Sequence, residues 1–157
     1  MRLRWPAVVA AVLLGIVQVP GAVSQERLLE SEQQLVLGDE QGALEAADEA
    51  LEAAPWSAAA SAARARSLLE AGDLEGAREA TTEAIRMEPE EADHVLLLAL
   101  IESASRDLPR AASTLTDAIA LSPANADLGS PGVSELFFEL KQAGYARRDL
   151  VPDGIGE

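Results

Sequence analysis

Residues 72–91 read GDLEGAREATTEAIRMEPEE, and similar stretches stand 34 residues before and 34 residues after them. The upstream copy, residues 38–57, is GDEQGALEAADEALEAAPWS, and the downstream copy, residues 106–125, is RDLPRAASTLTDAIALSPAN. Equivalent positions hold the same residue type in all three copies: Ala43, Ala77 and Ala111; Ala50, Ala84 and Ala118; Pro55, Pro89 and Pro123. Alanines could coincide by chance in an alanine-rich chain, but prolines in the same register could not. The chain therefore contains a 34-residue repeat, a period typical of stacked helical units.

Each repeat is predicted to be a pair of helices. Residues 58–71 contain no glycine or proline and end at Gly72, which suits the left-handed conformation that closes a helix. Asp73 stands where a side chain can cap the next helix. That helix is predicted to run to about Met87, because Pro89 disfavours helix at the residue before it.

The second helix of the middle repeat carries a stripe of small residues. Ala77, Ala80 and Ala84 lie at offsets of three and four, so they share one face on which a neighbouring helix can pack closely. A single helical hairpin of this kind cannot bury both of its faces. We therefore expect the hairpins to stack on one another.

The pattern resembles the tetratricopeptide repeat family, whose motif has a small residue in the first helix, Gly-Asp-like turn residues, two alanines in the second helix and a closing proline. The second-helix half matches closely in all three repeats. The first-helix half is looser, and where the family favours Trp, Leu, Gly and Tyr the repeats have these residues: Arg27, Glu30, Ser31 and Gln34; Ser61, Arg64, Ala65 and Leu68; Val95, Leu98, Ala99 and Glu102. The resemblance covers about residues 25–125. It implies an all-α fold, a right-handed α-solenoid of helix-turn-helix repeats.

The predicted organisation has three repeats and a C-terminal cap. The repeats span residues 25–57 (with a degenerate first helix), 58–91 and 92–125; a capping helix region spans 126–145, and a flexible tail spans 146–157. A repeat array needs a terminal element with one apolar and one polar face. The capping helix offers both: Val133, Leu136, Phe137 and Leu140 on one side, with Glu135, Glu139 and Lys141 on the other.

The first 24 residues are predicted to be a secretory signal peptide. MRLRWP is a short basic start, AVVAAVLLGIVQV is an apolar run of 13, and PGAVSQ supplies small residues for cleavage ahead of Gln25. The alternative is an uncleaved membrane anchor, although 13 apolar residues are fewer than the ~20 that cross a bilayer. We expect the mature chain to be exported, to the periplasm or outside the cell, without stable membrane insertion.

The composition restricts both chemistry and partners. The 157 residues include no cysteine, which excludes thiolate metal sites and cysteine nucleophiles. The net charge is −15, and loss of residues 1–24 removes Arg2 and Arg4, which leaves 10 basic and 27 acidic side chains and a net charge of −17. Such a surface repels nucleic acid and anionic lipid. Neutral or cationic protein partners are expected.

The chain offers few residues for catalysis. His94 is the single histidine, with no acid placed to orient it, and is predicted to pack between repeats. The four acids Glu45, Asp48, Glu49 and Glu52 share one helix face but fan outwards, so they indicate a solvated surface more than a cation site. Trp56 is predicted to cover the junction of the first two repeats. We expect no catalytic residue, metal or cofactor.

Three classes of function are considered. An enzyme is the least favoured; the other two are a binding module and a structural or assembly subunit that docks through its terminal faces. In the family that the sequence resembles, the first helices line a concave groove. That resemblance assigns to the groove Ala59, Ala62, Arg66, Leu69, Glu70, Asp93, Leu96, Leu100, Ser103, Ala104 and Phe137. The predicted binding residues are Arg66, Leu69, Leu96, Leu100 and Phe137. The alternative is that Leu96 and Leu100 are core residues, covered by the neighbouring helices or the tail. A peptide or amphipathic segment with aliphatic anchors and basic flanks is the expected ligand.

Overall fold

The computed structural model describes residues 20–122, 131–146 and 150. They form these α-helices: α1 (Pro20–Leu37), α2 (Glu40–Ala53), α3 (Ala58–Glu70), α4 (Leu74–Met87), α5 (Ala92–Ala104), α6 (Leu108–Leu121) and α7 (Pro131–Gln142). The described residues contain no strand, in agreement with the predicted all-α class. Helices pair as α1–α2, α3–α4 and α5–α6, and neighbouring pairs contact each other, so three hairpins stack into a solenoid.

The first helix of each hairpin ends in the same hydrogen-bonded turn. In the middle hairpin the N–H groups of Gly72 and Asp73 donate to carbonyls of α3 at 3.0 and 2.9 Å, with Gly72 at a φ of +79°. These bonds occupy carbonyls that a helix end leaves free. Gly38 repeats the conformation in the first hairpin, whereas the third uses Arg106 at a φ of 62°.

The second helix of each hairpin begins at an aspartate cap, as predicted for Asp73. The caps and the N–H groups that donate to them are Asp39 with Gly42 (2.9 Å), Asp73 with Gly76 (3.0 Å) and Asp107 with Arg110 (3.4 Å). A Cβ on Gly42 or Gly76 would lie 2.5 or 2.6 Å from the cap carboxylate. Arg110 has that Cβ, which explains the longer bond in the third hairpin.

Small residues hold the two helices of each hairpin together. Ala77 and Ala84 are 0% exposed and Ala80 is 7% exposed, which confirms the predicted stripe. In the first hairpin the hydroxyl of buried Ser31 donates to the carbonyl of Ala43 at 2.8 Å. Ser31 thus takes the place of Ala65 and Ala99 in the other hairpins, all three buried. The degenerate first helix keeps the small residue that close packing needs.

Two clusters of buried apolar residues in the described structure meet at α5. Leu97 and Ile101 of α5 pack with α3 and α4, while Ala99 of the same helix packs with α6 and α7. Helix α7 lies within the region predicted to cap the array: Val133, Leu136 and Leu140 are buried, and Phe137 is half-buried against the second cluster. Buried Leu150 joins that cluster, and its carbonyl accepts a hydrogen bond from Thr116 at 3.3 Å.

Several predictions concern residues at the edges of the described structure. Pro123 and residues 126–130 lie outside it, as do residues 1–19 and most of the predicted tail. Pro131 and Gly132 belong to α7, since proline suits the first position of a helix. The proposed cleavage before Gln25 falls inside α1 and would remove its first turn. No helix in the described part of the chain is long and apolar enough to cross a bilayer.

Candidate functional site

The first helices α1, α3 and α5 border a groove of about 480 Å³. We call it the first-helix groove; its lining residues are Leu35, Val36, Arg66, Leu69, Glu70, Asp93, Leu96, Leu97 and Leu100. Leu35 and Val36 come from the last turn of α1, and the other residues come from α3 and α5. Three hairpins therefore contribute to one surface, and no single repeat contains it.

The aliphatic floor of the groove is part of the protein core. Leu69 is half-buried against the cluster of α3, α4 and α5, and Leu96 and Leu100 are half-buried against the cluster of α5, α6 and α7. Val36 is different, because it lines the groove and is 88% exposed. An apolar floor fixed by the core and an exposed apolar rim together form a surface on which aliphatic side chains of a ligand can be buried.

Charged residues surround the aliphatic floor. Glu70 and Asp93 line the groove and are exposed. Arg66 is half-buried, and within the described residues it makes no ion pair with either of them. The groove thus offers two carboxylates and one guanidinium to a ligand, and the net charge of −15 adds a long-range field that favours cations.

The structure brings four of the five predicted binding residues together: Arg66, Leu69, Leu96 and Leu100 line the same groove. Phe137 is not among the lining residues of the groove; it is half-buried against the cluster of α5, α6 and α7. The sequence analysis did not assign Leu35 and Val36 to the groove. Two apolar residues just before Gly38, where the first helix ends, could have indicated an apolar surface there.

Two positions assigned to the groove by the family resemblance are buried. Ala62 is 1% exposed and belongs to the cluster of α3, α4 and α5. Ser103 is 5% exposed, and its hydroxyl donates a hydrogen bond to the carboxylate of Glu139 in α7. The capping helix therefore contacts the last turn of α5 at Ser103, whereas the neighbouring Ala104 is exposed.

The prediction for Trp56 was wrong, whereas that for His94 agrees with the structure. Trp56 is 74% exposed, whereas Ala54 and Ala58 on either side of it in the chain are buried. His94 is 6% exposed, and neither ring nitrogen has a hydrogen-bond partner in the described structure. Its Nε2 lies 3.5 Å from a carboxylate oxygen of Glu88. The burial of His94 fits the predicted packing role, whereas the nearby carboxylate of Glu88 was not expected from the sequence.

The acidic face of α2 is solvated, as expected, since its four acids are all exposed: Glu45, Asp48, Glu49 and Glu52. Asp48 pairs with Arg64 of α3 at 2.8 Å, and Glu49 pairs with Arg27 of α1 at 2.7 Å. Within the described ranges no group of three or more His, Asp or Glu side chains is placed to hold a metal ion.

Solved structures with similar architecture are TPR domains. The TPR2B domain of yeast Sti1, in complex with pHsp70, matches with a TM-score of 0.67 at 22% identity and covers 78% of this chain and 98% of that chain. The second TPR domain of human RPAP3, in complex with the HSP70 peptide SGPTIEEVD, gives 0.62 at 20% identity, covering 78% and 95%. An O-GlcNAc transferase mutant from Thermobaculum terrenum gives 0.69 at 22% identity, but only 23% of that chain is covered.

These similarities establish the class of the fold: the chain folds as an α-solenoid of helical hairpins, the architecture of TPR domains. The matched part of the bacterial transferase is only a fraction of that protein, so this similarity too concerns the repeats. No protein-family model matches the sequence, and neither does any curated protein.

Proposed function

We propose that the chain is a non-catalytic interaction module that binds a peptide or helical segment of a partner protein in the first-helix groove. The observation that carries the proposal is the combination of a core-supported leucine floor with Val36, an apolar rim residue that is 88% exposed. Peptide-bound TPR domains among the structural neighbours support the same reading of the fold.

The lining of the groove favours aliphatic anchors with basic flanks. A peptide such as SGPTIEEVD, bound by the RPAP3 domain, ends in several carboxylates. This groove offers a single guanidinium, Arg66, and places Glu70 and Asp93 beside it. An acidic tail would therefore meet two like charges. A segment that buries leucine-like side chains on the floor and carries lysine or arginine at its ends is complementary to the site.

Val36→Asp tests the groove, with Leu29→Asp as the matched control. Both residues are exposed and apolar on α1, at 88% and 68%, but only Val36 lines the groove. The probe is a fluorescent amphipathic peptide with leucines on one face and lysines at its ends. We expect V36D to weaken binding about tenfold, the effect of 1.4 kcal/mol, and L29D to leave it unchanged. Equal effects of the two substitutions would show that the groove is not the binding site.

One observation favours a second candidate, an assembly subunit that docks through its N-terminal face. Leu29 and Leu37 are 68% and 69% exposed on α1, the first helix described, and neither lines the groove. Exposed apolar residues on a terminal helix are suited to contact with another protein. If L29D abolishes assembly into a larger complex while V36D has no effect, the assembly function replaces the groove function.

We also propose export, with cleavage before Gln25 and a mature protein in the periplasm or outside the cell. The basic start, apolar run and small residues of the first 24 positions support it. Mass spectrometry of the protein recovered from its source is expected to give an N-terminus at Gln25. A chain that retains Met1 and sediments with membranes would establish the anchored alternative.

A further inference from the structure

Glu102, near the end of α5, is a buried carboxylate whose charge is only partly compensated. Its side chain is 7% exposed, and one oxygen lies 3.8 Å from Nη1 of Arg78 in α4. That distance allows charge attraction but is longer than a hydrogen bond. The other oxygen has no hydrogen-bond partner among the described residues. A buried carboxylate in such surroundings costs stability, so its presence there needs a different reason.

Arg78 contacts the last turn of α5 at a second point. Its Nη2 donates a hydrogen bond to the hydroxyl oxygen of Ser105 at 3.3 Å. That hydroxyl itself donates to the carbonyl of Ile101 at 2.7 Å, so its oxygen is available to accept from Arg78. One guanidinium therefore contacts both Glu102 and Ser105, which are neighbours on one face of α5 because they stand three residues apart.

These contacts lie at the end of the α4–α5 interface where the chain does not connect the two helices. Residues 88–91 join α4 to α5, whereas Arg78 is in the second turn of α4. Between the two ends the interface is apolar, with Leu97 and Ile101 buried in one cluster with residues of α4. Apolar burial is non-directional, whereas the N–H groups of a guanidinium point in fixed directions. The polar contacts are therefore the ones that can select one angle between the helices.

The angle between α4 and α5 affects the first-helix groove. Helix α4 is paired with α3, which contributes Leu69 to the groove, and α5 contributes Leu100. A rotation of α5 on α4 would thus move Leu100 relative to Leu69. Arg78 and Glu102 are not among the lining residues of the groove, so they can act on it only through the placement of α5.

We propose that Arg78 and Glu102 are positioning residues, which hold α5 at the angle on α4 that sets the spacing of the first-helix groove. Buried ion pairs can often be replaced by apolar residues without loss of stability, which fits a role in selecting one arrangement of the helices. The effect on a ligand rests on the proposed function of the groove, whereas the effect on helix spacing does not.

Distances between spin labels test the helix spacing directly. The chain has no cysteine, so labels attach only where cysteine is introduced. Ala59→Cys in α3 and Ala104→Cys in α5 are exposed positions outside the groove lining. The test variant combines R78M with E102M, so that no unpaired charge is left buried. We expect double electron–electron resonance to give one narrow distance distribution with the ion pair intact and a broader or shifted one in the double variant.

An exposed ion pair on the same helix provides the matched control. Glu83 and Arg86 in α4 pair at 2.6 Å, with side chains 44% and 70% exposed. R86M with E83M removes the same two charges but no contact between hairpins, and is expected to leave the distribution unchanged. An unchanged distribution in R78M/E102M, or an equal change in both double variants, would overturn the proposal.

Peptide affinity connects the helix spacing to the ligand. The probe is the fluorescent amphipathic peptide with leucines on one face and lysines at its ends. We expect R78M/E102M to weaken its binding about tenfold at an undiminished thermal midpoint, and R86M/E83M to have little effect. Unchanged affinity in R78M/E102M would overturn the role in the groove. If the chain with both residues intact binds no peptide, the proposed function fails, and the label distances alone decide the positioning of α5.

Two single substitutions keep the test decisive if the double variant does not fold. Glu102→Gln and Glu102→Ala remove the same charge, but only glutamine keeps an oxygen that can accept from Arg78. We expect E102Q to keep the narrow distribution between the labels and E102A to broaden it. The same distribution in both would show that the side chain of Glu102 does not set the angle, which would overturn the proposal.

Discussion

At the scale of single residues, the third hairpin turns on an arginine where the other two turn on glycine. Arg106 has a φ of 62°, and Gly38 and Gly72 occupy the equivalent places at 75° and 79°. The left-handed conformation crowds the Cβ of an L-residue against its own backbone at a cost of roughly 1–2 kcal/mol. The third turn therefore carries strain that the other two avoid.

Arg106→Gly is predicted to raise the free energy of unfolding by about 0.5–1 kcal/mol, because relief of strain outweighs the greater freedom of glycine in the unfolded chain. The converse change, Gly72→Ala, is expected to lower it by about 1 kcal/mol. Urea unfolding followed by circular dichroism measures both. A loss of stability in R106G would mean that the arginine side chain makes a contact more valuable than the strain it imposes.

At the scale of elements, the aspartate caps show how one side chain sets the start of a helix. Asp73 accepts from the N–H of Gly76 at 3.0 Å, whereas Asp107 accepts from Arg110 at 3.4 Å. The Cβ of Arg110 keeps the carboxylate of Asp107 away from the N–H group. The helix α6 therefore begins with a weaker cap than α4.

Asp73→Ala is predicted to lower the free energy of unfolding by about 1 kcal/mol, the usual value for loss of a cap. Asp107→Ala is expected to cost distinctly less, since its hydrogen bond is longer. Denaturant midpoints of the two variants, measured side by side, check the order. If D107A proves the more destabilising, the ion pair between Asp107 and Arg110 at 3.4 Å contributes more to stability than the difference between the two cap hydrogen bonds.

At the scale of the whole molecule, α5 joins the two core clusters. Ile101 is 0% exposed in the cluster of α3, α4 and α5, and Ala99, also on α5, is buried in the cluster of α5, α6 and α7. Each hairpin of a solenoid contacts only its neighbours. Because α5 contributes to both clusters, loss of its packing is expected to destabilise the hairpins on both sides of it.

Ile101→Ala is predicted to cost about 2–5 kcal/mol, a large part of the roughly 5–15 kcal/mol that stabilises a domain. We expect one unfolding transition at a lower denaturant concentration, with hydrogen exchange accelerated in all three hairpins. Retained protection of α6 and α7 alongside an unprotected α3 and α4 would show that the hairpins fold as separate units.

Much of the architecture could be predicted from the sequence because its determinants are local. The 34-residue period, the helix that ends at Gly72, the Asp73 cap and the stripe of Ala77 and Ala84 all depend on residues within one or two helical turns. In every copy of such a repeat, a residue in the left-handed conformation ends the first helix and a capping carboxylate begins the second. Small side chains then let the two helices pack closely.

The surfaces, by contrast, were decided by tertiary structure. Leu35 and Val36 join Leu69 and Leu100 in one groove only because the last turn of α1 lies beside α3 and α5. Whether an apolar side chain is exposed depends on how successive hairpins are rotated against each other, which is a property of contacts far apart in sequence. For the same reason Trp56, predicted from its sequence position to cover a junction between repeats, is exposed to solvent.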